Sequence, residues 1–201
     1  MSEPLFIETI KVKDGIFYNL PLHIARLSRT AIQFFGSAPL LELSEDMIPE
    51  ALREGVVKCR VVYGSQIVSV EFEPYSFRRI SSLTLVEDNT IDYAYKSVDR
   101  SSLNELYSRK ASGDDVLIVK NGLITDTSYA NVVLRNEDGF YTPKSYLLGG
   151  IKRQYLLEKG VIREVEVSLD NLMSFSKLYL INAMIDLEDE IGISISDLKT
   201  L

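Results

Sequence analysis

Short β-rich runs punctuated by turn dipeptides, and broken by only a few amphipathic stretches of helical length, constrain this chain most: it has to build sheets and pack helices on them. The runs at 5–10 (LFIETI) and 16–18 (IFY) flank Lys13-Asp14-Gly15, which predicts an opening hairpin. A helix follows. Pro21 suits a first helical turn, and Ile24, Leu27, Ala31 and Phe35 share one helical face, with His23, Arg26 and Arg29 placed elsewhere. A second helix is expected around 45–55. Strands are expected over 56–63, 66–72 and 82–86, the first two joined through Gly64-Ser65.

The polar stretch 87–95 reads as the connection between two halves, which gives a small N-terminal α/β domain over 1–90 and a second domain over 91–201 that begins near Lys96. In the second half 101–111 reads as helix and 115–119 (DVLIV) as a buried strand. Asn121-Gly122 and Asp138-Gly139 mark hairpins, the latter between 131–135 and 140–142. After Gly149-Gly150 the run IKRQYLLEK predicts a helix stopped at Gly160. A strand at 161–167, a short helix near 169–173 and a strand at 177–181 close the pattern, with no repeat and no low-complexity tract.

Charge and cysteine usage exclude several functions. A net charge of −7 with no basic run offers nothing to attract phosphate backbones or anionic lipid, so neither nucleic acid nor membrane is an expected partner. One cysteine, Cys59, cannot form an internal disulfide, and with a single histidine it cannot complete a Cys/His zinc site, so no metal is expected. No apolar stretch is long enough to span a bilayer, and the start MSEPLFIETI lacks the basic and long apolar regions of a signal peptide; the expected location is the cytoplasm.

Four segments and one short element carry chemistry, and they matter for their order. Phe6-Ile7-Glu8-Thr9-Ile10 with Leu22-His23-Ile24-Ala25-Arg26-Leu27, then Tyr95-Lys96-Ser97-Val98-Asp99-Arg100, then 123–132 (LITDTSYANV), then Leu147-Leu148-Gly149-Gly150-Ile151-Lys152-Arg153, and finally Asn182-Ala183-Met184, resemble in sequence the class IV aminotransferases. These are the fold-type IV enzymes that use pyridoxal 5′-phosphate, and the resemblance covers nearly the whole chain. It implies an α/β (α+β) architecture of two domains, an N-terminal α/β sandwich and a C-terminal pseudo-barrel with the cofactor in the cleft between them. Members usually carry an opening pair of strands before the first motif, so the resemblance also implies truncation at the N-terminus.

The residue roles are likewise what the resemblance implies. Arg26 matches the arginine of H-x-x-R-L that binds the cofactor phosphate, and a guanidinium suits that task because it is always charged and donates paired hydrogen bonds. Lys96 matches the lysine that holds the cofactor covalently, and Asp126 stands where the family has a glutamate facing the pyridine nitrogen. The shorter side chain reaches about 1.5 Å less, one bond length. Gly150, Ile151 and Lys152 match the L-x-G-I-T-R loop, whose backbone N–H groups grip the phosphate at a helix start, with Lys152 replacing the threonine. Asn182 and Ala183 match the element at which the last strand approaches the cofactor. Arg60 and Tyr129 are candidates for the substrate, although an ion pair is the commoner role for a strand arginine.

What such a site does remains open between three readings. The Asn182-Ala183-Met184 element favours a 4-amino-4-deoxychorismate lyase, which releases pyruvate and leaves 4-aminobenzoate. An aminotransferase acting on amino acids or amines uses the same lysine and the same electron sink. The third reading is a protein that keeps the cofactor and has lost turnover. A small amino-acid-like substrate and a homodimer are implied in the first two.

Overall fold

A computed structural model describes residues 3–199, so the outermost residues of both expected domains, 1–2 and 200–201, lie outside it. The chain divides into two compact units, one made of 1–77 with 95–99, the other of 78–94 with 100–201. Sequence analysis set the division at 90/91 and gave Lys96 to the second domain. The divergence has a physical source in strand pairing, which moves 78–94 and 95–99 in opposite directions.

In the first unit β1 (Phe6–Lys13) and β2 (Ile16–Phe17) form the expected hairpin, turning at Asp14 and Gly15, both with positive φ. Helix α1 (Leu20–Phe35) follows, with proline in its first turn and Gly36 ending it in the left-handed conformation that glycine tolerates best. β3 (Val56–Tyr63) and β4 (Ile67–Pro74) complete an antiparallel sheet of order β2-β1-β3-β4. Strand alternation sends Phe6, Ile10 and Val12 of β1 and Val57, Cys59 and Val61 of β3 to one face, where they pack with Leu27 and Ala31 of α1. Two corrections arise here. The helix expected at 45–55 is two single 3₁₀ turns, Glu45–Met47 and Glu50–Leu52, because Pro49 between them cannot donate to a continuous ladder. His23 and Arg26, placed off the apolar face by sequence, are buried on α1 beside Leu27, Thr30 and Ala31.

The segment 95–99 joins this unit through β1. Ile7 donates its N–H to the Lys96 carbonyl (2.9 Å), Val98 donates to the Leu5 carbonyl (2.9 Å), and Phe6 bridges Ser97. Tyr95 packs edge-on against Phe34, with ring centroids 4.8 Å apart, and Phe34 lies 4.7 Å from Phe6. The N-terminal part of β1, which β2 does not reach, thus receives the lysine segment as a short extra partner.

The second unit opens with β5 (Leu83–Glu87), which runs parallel to β6 (Asp115–Lys120) after helix α2 (Ser101–Ser108). Sequence grouped this strand with the first half; parallel pairing across the long connection 88–114 leaves no local signal. β7 (Leu123–Thr127) returns antiparallel through Asn121-Gly122, and β8 (Asn131–Asn136) and β9 (Gly139–Pro143) form the second expected hairpin. Then come α3 (Ile151–Glu158), β10 (Arg163–Val165), β11 (Lys177–Ile181), β12 (Gly192–Ser194) and β13 (Leu198–Lys199). The strand expected over 161–167 shrinks to β10, and the helix near 169–173 is a 3₁₀ turn at Leu172–Ser174.

Two sheets result, β13-β5-β6-β7 and β10-β9-β8-β11-β12. Their inner faces share one core built from Leu83, Leu117, Val119, Val132, Leu134 and Leu180, among others. Val116 and Ile118 point outward beneath Leu103 and Leu106 of α2, and Val133 and Tyr179 lie beneath Leu156 near the end of α3. Burial on both faces explains why DVLIV reads as an unbroken apolar run. Among the described residues no helix is long and apolar enough to cross a membrane.

Candidate active site

In the first unit a carboxylate is buried among apolar neighbours. Glu8 shares the inner face of β1 with Phe6 and Ile10 and is fully shielded from solvent. Its Oε1 accepts from Arg26 Nε (2.8 Å), while Oε2 accepts from Arg26 Nη2 (2.6 Å) and lies 2.6 Å from His23 Nδ1. Burial alone would raise the Glu8 pKa, but the Arg26 charge and the hydrogen bonds from both partners outweigh it and hold the group at about 2. Glu8 is therefore an anion that can only accept, so His23 carries its proton on Nδ1. Burial lowers the His23 pKa against the pull of Glu8, and the positive charges of Arg26 and Lys96 push the same way, which keeps the imidazole neutral at pH 7. Lys96 is half-buried and close enough for its charge to act on His23.

Glu8 folds with a pKa near 2 against 4.5 when unfolded, so its contribution is present above pH 4.5 and is lost as pH falls towards 2. The size is about 3 kcal/mol. Glu8→Gln is expected to lower stability at pH 7 by about 3 kcal/mol, because a buried guanidinium loses its counter-charge. Urea unfolding followed from pH 7 to pH 3 should also show the acid-dependent loss reduced in the variant.

Arg60 lies on the other face of the same sheet, half-exposed, with its guanidinium 3.8 Å from Glu71 on β4. That is the ion pair a strand arginine commonly makes.

In the second unit Asp126 lies on β7 two residues after Ile124, on the side facing the core. Its Oδ1 accepts from Asn131 Nδ2 (2.9 Å), and its Oδ2 accepts from the N–H groups of Leu147 (3.1 Å) and Leu148 (2.9 Å). Each carboxylate oxygen has two acceptor positions, so one on Oδ1 is left over. Burial pushes the Asp126 pKa up to about 6, against the pull of Leu148, Asn131, Leu147 and the Arg153 charge. A carboxylate buried this way gains from any cation brought to it, and a protonated pyridine nitrogen would supply one.

Asn131 ties the motif together. Its Nδ2 also donates to the Leu148 carbonyl (2.9 Å), and a Cβ placed on Gly150 would fall 1.8 Å from its Oδ1. The backbone of 147–150 thus lies directly on Asn131 and Asp126, and α3 starts there, with its first unpaired N–H groups at Ile151 and Lys152. Gly150→Ala should displace the Asn131 side chain, break its bonds to Asp126 and Leu148, and weaken cofactor retention at least about tenfold, one lost hydrogen bond to a charged group. Equilibrium dialysis against pyridoxal 5′-phosphate measures this.

Ile151 buries its side chain, and Lys152 buries its own and pairs with Asp186. Asn182 turns its Oδ1 to the N–H groups of Met184 (2.8 Å) and Ile185 (3.1 Å) and its Nδ2 to the Tyr129 carbonyl (3.4 Å). It therefore shapes the turn after β11, and Ala183 sits half-buried within that turn. The Tyr129 ring lies under Arg78, 4.9 Å from guanidinium to centroid. Four residues central to this geometry were not singled out from sequence: Glu8, His23, Asn131 and Arg153. The usable signal was the i, i+3 spacing of His23 and Arg26 opposite a glutamate on the apolar side of a strand.

The donor set fits pyridoxal phosphate. The second unit offers a buried carboxylate with spare acceptor capacity and a helix start that accepts close backbone approach through Gly150, and the first unit by itself offers a half-buried lysine. Residues 5–187 match the sequence model described as amino-transferase class IV. An uncharacterized protein of Haemophilus influenzae is 30% identical over 184 residues, spanning 90% of this chain and 97% of its own. A solved structure from Haemophilus somnus 129PT, of a provisionally assigned 4-amino-4-deoxychorismate lyase, superposes with a TM-score of 0.80 at 29% identity, covering 92% of this chain and 97% of that one. The D-alanine aminotransferase of Bacillus licheniformis is 23% identical over 209 residues, covering 86% of this chain and 73% of its own.

Proposed function

The chain belongs to the class IV aminotransferase family and is a pyridoxal-phosphate-dependent aminotransferase or lyase, and from that premise we propose that it is a lyase converting 4-amino-4-deoxychorismate to 4-aminobenzoate and pyruvate. The observation that carries this reading is the likeness to the Haemophilus somnus protein, which extends over nearly the full length of both chains. The Asn182-Ala183-Met184 element, in its fixed turn after β11, supports it.

The residues we assign to the cofactor are Arg26 and Lys96 in the first unit and Asp126, Gly150, Ile151, Lys152, Asn182 and Ala183 in the second. Bound pyridoxal phosphate supplies the electron sink that makes the substrate Cα–H acidic. Lys96 Nζ then holds or takes that proton as general base. Arg26, fixed by Glu8 through two nitrogens, orients the phosphate. The N–H groups at the start of α3 favour the same anion. Asp126 keeps the ring nitrogen protonated, and its two backbone donors stop it from turning away. Substrate contact is assigned to Tyr129 and withdrawn from Arg60, which faces away from Glu8 and pairs with Glu71; the family resemblance supports a homodimer, and the single cysteine a cytoplasmic location.

Incubating the purified, cofactor-loaded protein with 4-amino-4-deoxychorismate and following pyruvate with lactate dehydrogenase tests the reading. Stoichiometric pyruvate and 4-aminobenzoate are expected. An aminotransferase instead converts the bound cofactor to its pyridoxamine form with an amino acid such as D-alanine and releases a keto acid, with no pyruvate from the chorismate derivative.

A further inference from the structure

Arg153 sits on α3, three residues past Gly150, and is buried although it carries a permanent charge. Its Nη2 donates to the Pro143 carbonyl (3.0 Å) and pairs with Glu164 of β10, and its guanidinium lies 4.2 Å from the centroid of the Tyr146 ring. Pro143 and Tyr146 bracket the beginning of the strap that runs to Gly150. That strap carries the Leu147 and Leu148 N–H groups that hold Asp126. One cation therefore joins the helix, β10 and the strap from beneath. Its Nε is buried without a hydrogen-bond partner, a cost of about 1–3 kcal/mol that a merely space-filling side chain at this position would avoid.

We propose that Arg153 is a positioning residue for Asp126, holding the strap that grips the carboxylate while its fixed positive charge opposes the effect of burial on that group. The other groups facing Asp126 are neutral: Asn131 from β8 and the backbone of Leu147 and Leu148 from the strap. On α3 the neighbouring cation, Lys152, is taken by Asp186, and Arg153 itself faces Glu164 from β10. The importance of this role rests on the assignment of Asp126 to the cofactor ring nitrogen, but its test does not.

The test is urea unfolding of the cofactor-free protein between pH 4 and pH 8, each form compared with its own Asp126→Asn counterpart, so that the difference reports the titration of Asp126. The slope of that difference against pH flattens as folded Asp126 loses its proton, and in the unaltered protein the midpoint of that loss is expected at about 6. Arg153→Met should raise it by about one pH unit, the lower end of what an opposite charge does, and Arg153→Lys should bring it back. Glu164 has a side chain 42% exposed, so Glu164→Gln is expected to fold, and with less negative charge facing Arg153 it should move the midpoint down by a few tenths of a unit. An arginine that only fills space would lower stability evenly across pH and leave the midpoint in place. That result in Arg153→Met, or an unmoved or raised midpoint in Glu164→Gln, overturns the proposal. Failure of the unaltered protein to retain pyridoxal phosphate at any pH overturns the cofactor assignment instead.

Discussion

Lys96→Ala should fold normally and lose turnover by at least about 10³-fold, because one substitution removes both the covalent tether and the general base. The pairing of its segment with β1 should persist, because residue 96 itself takes part through its backbone carbonyl. The protein should also lose the visible absorbance of bound pyridoxal phosphate after dialysis. Added methylamine should not restore the tether, although it can restore part of the proton transfer. A variant that keeps a full-strength visible band after dialysis would show that another amine holds the cofactor.

Asp126→Asn should lower turnover by about 10³-fold, the upper range for removing one preorganised electrostatic group from a buried site. It also gives a signature that needs no substrate. Asp126 has a usual pKa of 3.8 and folds with one of about 6, so between these values the native state holds more protons than the unfolded chain. Stability of the cofactor-free protein therefore falls as pH rises from about 4 to about 6, by about 3 kcal/mol in all. Asparagine cannot titrate, and the variant should lack this decline. Adding pyridoxal phosphate to the unaltered protein brings a cation to the carboxylate, and the decline should shrink. Thermal unfolding across pH 4–8, with and without cofactor, measures both.

These two residues also show how far the sequence could be read. Local signals were sufficient where a residue type dictates a backbone state. Pro21 falls in the first turn of α1, Asp14-Gly15 and Asn121-Gly122 turn the hairpins, and Gly160 follows the end of α3 with a positive φ. They failed where pairing is remote. Nothing within 82–94 reveals that β5 runs parallel to β6, and nothing in 187–199 announces the short strands that close the two sheets. The apolar count along α1 misled for a different reason. A face was expected to be hydrophobic, whereas His23 and Arg26 are buried there because Glu8 meets them from β1. Burial of that kind is a property of three residues far apart in sequence, and no single position carries it.

The candidate site divides along the same line. The residues bearing the family motifs were named from sequence order, but the groups that hold them were not. Asn131 lies inside a quoted motif, yet its two hydrogen bonds, to Asp126 and to the Leu148 carbonyl, come together only when the strap folds back 17 residues later. Arg153 follows Lys152, and its link to Asp126 runs through Pro143 and Tyr146.

The central claim is that the ε-amine of residue 96 carries the cofactor. Borohydride reduction of the cofactor-loaded protein, followed by proteolysis and mass spectrometry, tests it directly. The account predicts one phosphopyridoxyl adduct, on the peptide containing Lys96. An adduct confined to another lysine, Lys152 included, or no adduct on a protein that was visibly loaded beforehand, would contradict it.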